Sequence, residues 1–158
     1  MVRLDPATTA DDLDTIRILF REYADALGVD LGYQGFDEEV RDLPGKYAPP
    51  QGTLLLARNG DEVVGCVGVR PLDNRTAEMK RLYVRPAGRG SGPGRTLAEA
   101  AIDFAARNGY ERMRLDTLPQ MERAQQLYKT LGFVTIEPYR FSAVPGTVFL
   151  ELTLEGLI

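Results

Sequence analysis

The stretch that most constrains this chain is a glycine-dense turn, Arg89-Gly90-Ser91-Gly92-Pro93-Gly94-Arg95-Thr96. It follows an apolar, strand-like run from Met79 to Val84. It opens a run of helical spacing through Leu97, Ala101, Phe104 and Ala105. Glycines at 88, 90, 92 and 94 let a ligand approach the backbone with no Cβ in the way. The first-turn N–H groups of the following helix lack intrahelical partners and point outward, where the helix dipole also favours negative charge. A strand, a glycine turn and a helix N-terminus together make an anion cradle, suited to a phosphate or diphosphate.

The spacing narrows the ligand. A nucleoside-triphosphate loop needs G-x-x-x-x-G followed by lysine and Ser or Thr, and no glycine pair here has that sequel. A dinucleotide turn needs G-x-G-x-x-G. Three places after Gly90, Gly92 and Gly94 stand Pro93, Arg95 and Leu97 instead. Composition removes further chemistries. The chain has no histidine and one cysteine, Cys66, so histidine-based triads, zinc sites and iron–sulfur sites are out of reach. Acid–base work must come from Asp, Glu, Tyr, Lys, Cys66 or water. Cys66 lies in Val64-Gly65-Cys66-Val67-Gly68, which reads as a buried structural thiol with nothing beside it to activate it. A net charge of −4 with no dominant basic stripe argues against nucleic acid as a partner. No apolar run approaches the roughly 18 residues of a membrane span, and the N-terminus lacks a secretory h-region. With a single thiol, the expectation is a cytoplasmic protein. At 158 residues, 44% of them hydrophobic, residues 1–158 read as a single domain with a sizeable core.

Along the chain, Val2 to Asp5 reads as a first strand. Thr8 or Thr9 caps a helix that keeps its spacing through Leu13, Ile16, Leu19, Phe20, Tyr23 and Leu27 to Gly28. Residues 29 to 52 lack strong periodicity. They predict a short helix from Phe36 to Asp42 and a mobile wall of a binding site. Strands follow at Thr53 to Ala57 and Val63 to Val69, joined at Asn59-Gly60, and at Glu78 to Val84, forming an antiparallel meander. A helix from Gly94 to Arg107 leads to a strand, Met113 to Asp116, placed parallel to 78–84 because a helix connects them. Pro119 starts a helix to Leu131. Phe133 to Ile136 and Thr147 to Leu154 are the last strands, with the loop 138–146 between them.

Taken in order, three motifs carry a resemblance. They are Glu78-Met79-Lys80-Arg81-Leu82-Tyr83-Val84-Arg85-Pro86, the Arg89-x-x-Gly92-x-Gly94 turn, and Ala124-x-x-Leu127-Tyr128-x-x-x-Gly132-Phe133. Together they resemble the core of GNAT-type N-acetyltransferases over about residues 78–136. The resemblance implies an α/β (α+β) fold, with a mixed sheet of six or seven strands, splayed central parallel strands and flanking helices. It implies acetyl-coenzyme A (acetyl-CoA) as co-substrate, no metal, and a small-molecule or peptide amine as acceptor. By position, Leu82, Tyr83 and Val84 line the pantetheine arm. The turn from Arg89 through Gly90, Ser91, Gly92, Gly94, Arg95 and Thr96 holds the diphosphate. Met121 and Ala124 face the arm from the helix. The sequence departs from the family pattern at Pro93, which lacks an N–H, at Gly88, where a bulky residue is common and whose loss loosens the loop, and at Met121, where many members carry Asn.

The resemblance also assigns chemistry. Glu78 stands where a strand glutamate serves as base in some members, taking a proton from an ammonium acceptor directly or through water. Its bland reading is a glutamate paired with Lys80 or Arg81. Tyr128 stands at the general-acid position, where a phenol protonates the departing thiolate; its bland reading is a helix anchor. Tyr33, Tyr47, Tyr139 and Arg140 lie in segments expected to form the acceptor wall. The expected activity is acetyl transfer to an amine through a ternary complex, with an inactive acyl-CoA-binding module as the alternative. A homodimer is a common state for such chains.

Overall fold

The computed structural model describes residues 2–90 and 92–155. Strand β1 is Val2–Pro6 and helix α1 is Ala10–Leu27. The cap is Thr9: its hydroxyl accepts from the Asp12 N–H at 3.0 Å while the Asp12 carboxylate accepts from the Thr9 N–H at 3.4 Å. Two of the four orphan donors at the helix start are thereby satisfied. Helix α2 is Phe36–Arg41, and strands β2, β3 and β4 are Thr53–Asn59, Glu62–Pro71 and Thr76–Val84. Helix α3, Pro93–Arg107, leads to β5, Arg112–Thr117; helix α4, Glu122–Thr130, leads to β6, Val134–Ile136, and β7, Val148–Thr153.

The seven strands form one mixed sheet in the order β1-β2-β3-β4-β5-β7-β6. Only β4 and β5 run parallel, and they pair over three positions: Thr76 with Arg112, Ala77 with Met113, Glu78 with Arg114. Beyond Glu78 the two strands part, and the sheet opens in a V.

The parting has a visible cause in β4. Its register against β3 slips between the pairs Gly68–Lys80 and Cys66–Tyr83, so Arg81 and Leu82 together oppose Val67. That extra residue is a β-bulge, which bends the strand that carries it. Arg81 sits there at φ 59, the one left-handed non-glycine among the described residues. Such a conformation costs on the order of 1–3 kcal/mol and persists only where neighbours hold it. The hold is a fork. The Arg81 Nε and Nη2 donate to the two Glu39 oxygens, each at 3.1 Å, and Nη1 donates to the Gln34 carbonyl oxygen at 2.8 Å.

Alternation along the strands builds two cores, one on each sheet face. Ala57, Val67, Val69 and Met113 pack with α3 through Leu97, Ala98, Ala101 and Ala105. Leu54, Leu56 and Cys66 pack with α1 through Ile16, Leu19 and Phe20. The second core corrects the expectation for residues 29 to 52. Leu31, Phe36, Val40, Leu43 and Tyr47 are all buried in it. Their spacing matches no single period because the chain turns at Gly35 and again through Gly45–Tyr47, so the segment is packed core. A second correction concerns α4, which starts at Glu122 and not at Pro119. The Leu118 carbonyl accepts from the Met121 N–H at 3.0 Å and the Gln125 side chain at 2.8 Å, which holds 118–121 as a turn. Among the described residues no helix is long and apolar enough to cross a membrane.

Candidate active site

One arm of the V is an open groove of about 650 Å³ between β4, the glycine turn and the start of α4. Backbone parity decides which groups β4 offers to it. The Arg85 N–H bonds the Val64 carbonyl on β3 at 2.8 Å, so the neighbouring residue, Val84, directs its N–H and C=O the other way. Leu82 shares that parity. The Val84 carbonyl indeed accepts from the Arg89 Nε at 3.2 Å, on the groove side. The edge that Leu82 and Val84 form, with no β5 partner beyond Glu78, is one that an amide-bearing arm can extend as an added strand, the Val84 carbonyl being already taken by Arg89.

At the groove's mouth Gly90 and Gly92 take φ 95 and φ 81, where a side chain would be strained. Gly92 caps α3 with no side-chain hydrogen bond. Pro93 fills the first helical position, so the outward donors of this turn are the Gly94 and Arg95 N–H groups. Gly88 has a packing reason of its own: a Cβ there would lie 2.7 Å from the Val64 Cβ. The expectation that this glycine loosens the loop is therefore corrected; it lets the turn press against β3.

The groove lining brings together Leu82, Tyr83, Val84, Arg89, Gly90, Gly92, Gly94, Met121 and Ala124. Arg95 and Thr96 stand apart from it. The Arg95 guanidinium turns along the helices to Thr130 at 3.4 Å and Glu99 at 3.6 Å, and the Thr96 hydroxyl donates back to the Gly92 carbonyl at 3.1 Å. Ser91 lies outside the described residues. The Tyr83 hydroxyl donates to Glu22 at 3.2 Å, and the same carboxylate takes Arg85 at 2.8 Å.

Where the strands part, the groove meets a more enclosed chamber of about 30 Å³, with Tyr23, Leu27, Leu82 and Met121 lining both spaces. Its polar lining comes from Gln34, Lys80, Arg81, Asp116, Thr117 and Tyr128. Tyr128 is 5% exposed and stacks edge-on to Phe133 at 5.7 Å. Its hydroxyl makes no hydrogen bond with a described residue, and burial pushes the phenol well above its ordinary value. The proton therefore stays on the oxygen through the neutral range. Thr117 is 3% exposed, and its hydroxyl is the one fully buried side-chain polar atom without a partner among the described residues.

Glu78 is elsewhere. It is wholly buried at the last paired position of β4, behind the chamber. Oε1 accepts from the Arg70 Nε at 2.9 Å and Oε2 accepts from the Tyr139 hydroxyl at 2.7 Å, while the Arg140 Nη2 lies 2.6 Å from Oε2 as an ion pair. Burial pushes its carboxyl up, but Lys80, Arg70 and Arg140 together pull it further down, below the usual carboxylate range. Such a group is a weak base with its lone pairs committed. Tyr47 is 2% exposed and donates to Glu39 at 3.0 Å within the α1-side core. Tyr33 packs edge-on against Phe141 at 6.3 Å, and Tyr139 against Phe149 at 5.2 Å. The loop 138–146 is thus tied down over the sheet through Tyr139 and Arg140 on Glu78.

The chamber residues that sequence reasoning passed over are Gln34, Lys80, Arg81, Asp116 and Thr117. Two of them lay inside a quoted motif, but as charged residues on a strand they read as surface. Lys80 is 4% exposed, its ammonium donating to Gln34 at 3.2 Å with Asp116 at 3.8 Å. Burial, reinforced by Arg81, pushes it down to about 8 against the upward pull of Glu78 and Asp116.

A mixed sheet split between its parallel strands, with a glycine turn and helix N-terminus at the mouth of the split, is the architecture of solved acetyltransferases. One from Staphylococcus aureus superposes with a TM-score of 0.80 over 98% of this chain and 100% of that one, at 19% identity. The yncA acetyltransferase of Salmonella typhimurium, solved with acetyl-CoA, gives 0.68 over 98% and 95% at 22% identity. The chain itself belongs to the GNAT acetyltransferase family, whose model matches residues 16–133. An uncharacterized N-acetyltransferase of Schizosaccharomyces pombe is 41% identical over 90% of this chain and 89% of its own length. The uncharacterized N-acetyltransferase YjgM of Escherichia coli is 33% identical over 77% and 74%.

Proposed function

We propose that this protein transfers an acetyl group from acetyl-CoA to a primary amine, by direct attack within a ternary complex. The carrying observation is the continuity of the groove with the chamber. A diphosphate cradle and a strand edge with no β5 partner lead to a buried phenol that has no hydrogen-bond partner among the described residues. Relatives named as N-acetyltransferases, and a like fold solved with acetyl-CoA, support the ligand.

In this reading the Gly94 and Arg95 N–H groups and Arg89 hold the diphosphate, and the Leu82 and Val84 backbone holds the arm against β4. Asp116, on the opposite strand, receives the acceptor's ammonium and takes its proton directly or through water. The amine nitrogen then bonds to the thioester carbonyl carbon. A backbone N–H of the bulge near Leu82 steadies the oxyanion that forms. As the C–S bond breaks, the electron pair leaves on sulfur and takes the Tyr128 proton, while the nitrogen sheds its second proton to the phenolate, directly or through water, and the amide forms. A phenol raised by burial is a reluctant donor, so its share of the rate is modest. Glu78 acts as a strut that orients Arg70, Tyr139 and Arg140, not as the base.

Titration calorimetry with acetyl-CoA, followed by thiol release across amino acids, polyamines, aminoglycosides and peptide N-termini, tests the reading. Binding with thiol release in the presence of an amine is the expected result. Binding without release from any amine would make the protein a coenzyme-binding module.

A further inference from the structure

Arg81 stands at a position that ordinarily belongs to glycine. It is the first residue of the β4 bulge and sits at φ 59. A bulge whose first residue is left-handed normally carries glycine there, which takes that backbone without strain. Arginine brings the strain and also a guanidinium withdrawn from water, the residue being 4% exposed. A buried ion pair is often no more stable than apolar residues of the same volume, so stability does not account for the choice. What glycine cannot supply is a single conformation, since it takes either sign of φ about as readily.

The arginine side chain supplies it. The guanidinium carbon lies 5.1 Å from the centre of the Phe36 ring and 5.9 Å from that of Tyr23, which seats it against α2 and α1. Its N–H groups close on Glu39 of α2 and on Gln34 in the turn Leu31–Gln34. Glu39 is fixed from two further sides, by Arg70 on β3 at 3.5 Å and by the Tyr47 hydroxyl at 3.0 Å. The Arg81 carbonyl is held as well, accepting from the Cys66 thiol on β3 at 3.5 Å. The next residue, Leu82, lines both the groove and the chamber. If residue 81 returned to an extended φ, the bulge would be lost or moved, and a one-residue change of register turns a strand's groups to the other side.

We propose that the Arg81–Glu39 fork is a positioning device for the reaction. Glu39 holds residue 81 left-handed through Arg81, and so fixes where the Leu82 backbone meets the coenzyme arm and the thioester. This rests on the transferase reading above and gives a role in it to Glu39, which is not part of the chamber lining. A misplacement of about 1 Å at reacting atoms costs about 100-fold in rate, so the fork acts on turnover beyond any effect on stability.

The test compares Arg81→Gly with Arg81→Ala. Both remove the guanidinium and leave Glu39 to Arg70 and Tyr47. They differ by one Cβ, which decides how readily residue 81 keeps its left-handed backbone. Thiol release with an amine that supports it, acetyl-CoA affinity by calorimetry, and Tm are read on each folded variant. The glycine variant should lower kcat only a few-fold, and the alanine variant by about 10- to 100-fold. Acetyl-CoA should bind the alanine variant about 10-fold more weakly than the glycine variant, the worth of one displaced hydrogen bond. Glu39→Gln should lower kcat much as the alanine does, but have little effect on kcat once residue 81 is glycine. A merely stabilising fork would move Tm in that cycle and leave kcat alone. If the alanine variant does not fold, the Glu39→Gln cycle carries the comparison. Equal kcat and equal affinity in the glycine and alanine variants, or a Glu39→Gln effect on kcat that persists in the glycine background, overturns the proposal and leaves the transferase reading standing. Acetyl-CoA binding with no thiol release from any amine overturns the transferase reading instead, and the order of affinities then decides the fork.

Discussion

Replacing Glu78 with Gln separates a strut from a base. The wild-type carboxylate is wholly buried, accepts hydrogen bonds of 2.9 Å from Arg70 and 2.7 Å from Tyr139, and is ion-paired with Arg140 at 2.6 Å. Glutamine keeps the volume but removes the charge and points an N–H₂ at one of those donors. Breaking a buried ion pair from one side costs about 3–5 kcal/mol, because the partner charge is left uncompensated. Here Arg70 retains Glu39 at 3.5 Å and the Arg140 side chain is 23% exposed, so both partners have somewhere to turn. The low end of that range, about 3 kcal/mol, is the expected loss. For a chain of this length that lowers Tm by about 6–12 °C. The pH dependence follows in sign. Glu78's folded-state carboxyl lies below its ordinary value of 4.5, so its contribution is complete above that pH and is lost as pH falls through the folded value. The variant should therefore show a shallower loss of stability in acid than the wild type. Thermal melts by circular dichroism at pH 7 and pH 4, with the pH–rate profile of each protein, decide the case. A Tm within 2 °C of wild type at pH 7, with turnover lost only below the acceptor's own pKa, would refute the strut and restore Glu78 as base.

Three further expectations address the groove and its chemistry. Gly92→Asp should still fold, at a strain cost of about 1–2 kcal/mol because the residue sits at φ 81 although its Cβ would meet nothing within 4 Å, and it should weaken acetyl-CoA binding about 10-fold or more by setting a carboxylate at the diphosphate cradle; calorimetry on the folded variant reads this. Tyr128→Phe removes a hydroxyl with no partner, so Tm and acetyl-CoA affinity should hold while turnover falls about 10- to 100-fold; unchanged turnover with chemistry rate-limiting would make Tyr128 a packing residue. Gly88→Ala forces a Cβ to 2.7 Å from the Val64 Cβ, and overpacking of that kind costs about 1–3 kcal/mol, seen as a lower urea midpoint; an unaltered midpoint would mean the turn relaxes away from β3 at no cost.

The sequence by itself determined the parts whose physics is local. The glycine turn, the Thr9 cap and the alternating apolar runs of β2 and β3 depend on neighbours within a few residues, so their order, and the sheet with its parallel pair, could be read from spacing. The family followed from three motifs in order. Only the tertiary structure decided what each charged residue does. Glu78, Lys80 and Arg81 look alike in sequence, as charges on a strand that elsewhere alternates. In the fold, the bulge at Arg81 and partners from 34 and 39 bury all three, and they commit Glu78 to Arg70 and Arg140 while leaving Lys80 at the chamber wall. The same holds for Tyr47, placed by sequence in an acceptor wall and by the fold in the core beside Phe20. Burial and pairing are sums over residues distant in the chain, and a pKa or a free donor depends on that sum. A spacing pattern carries the backbone's local preferences; it does not carry the field in which a side chain ends.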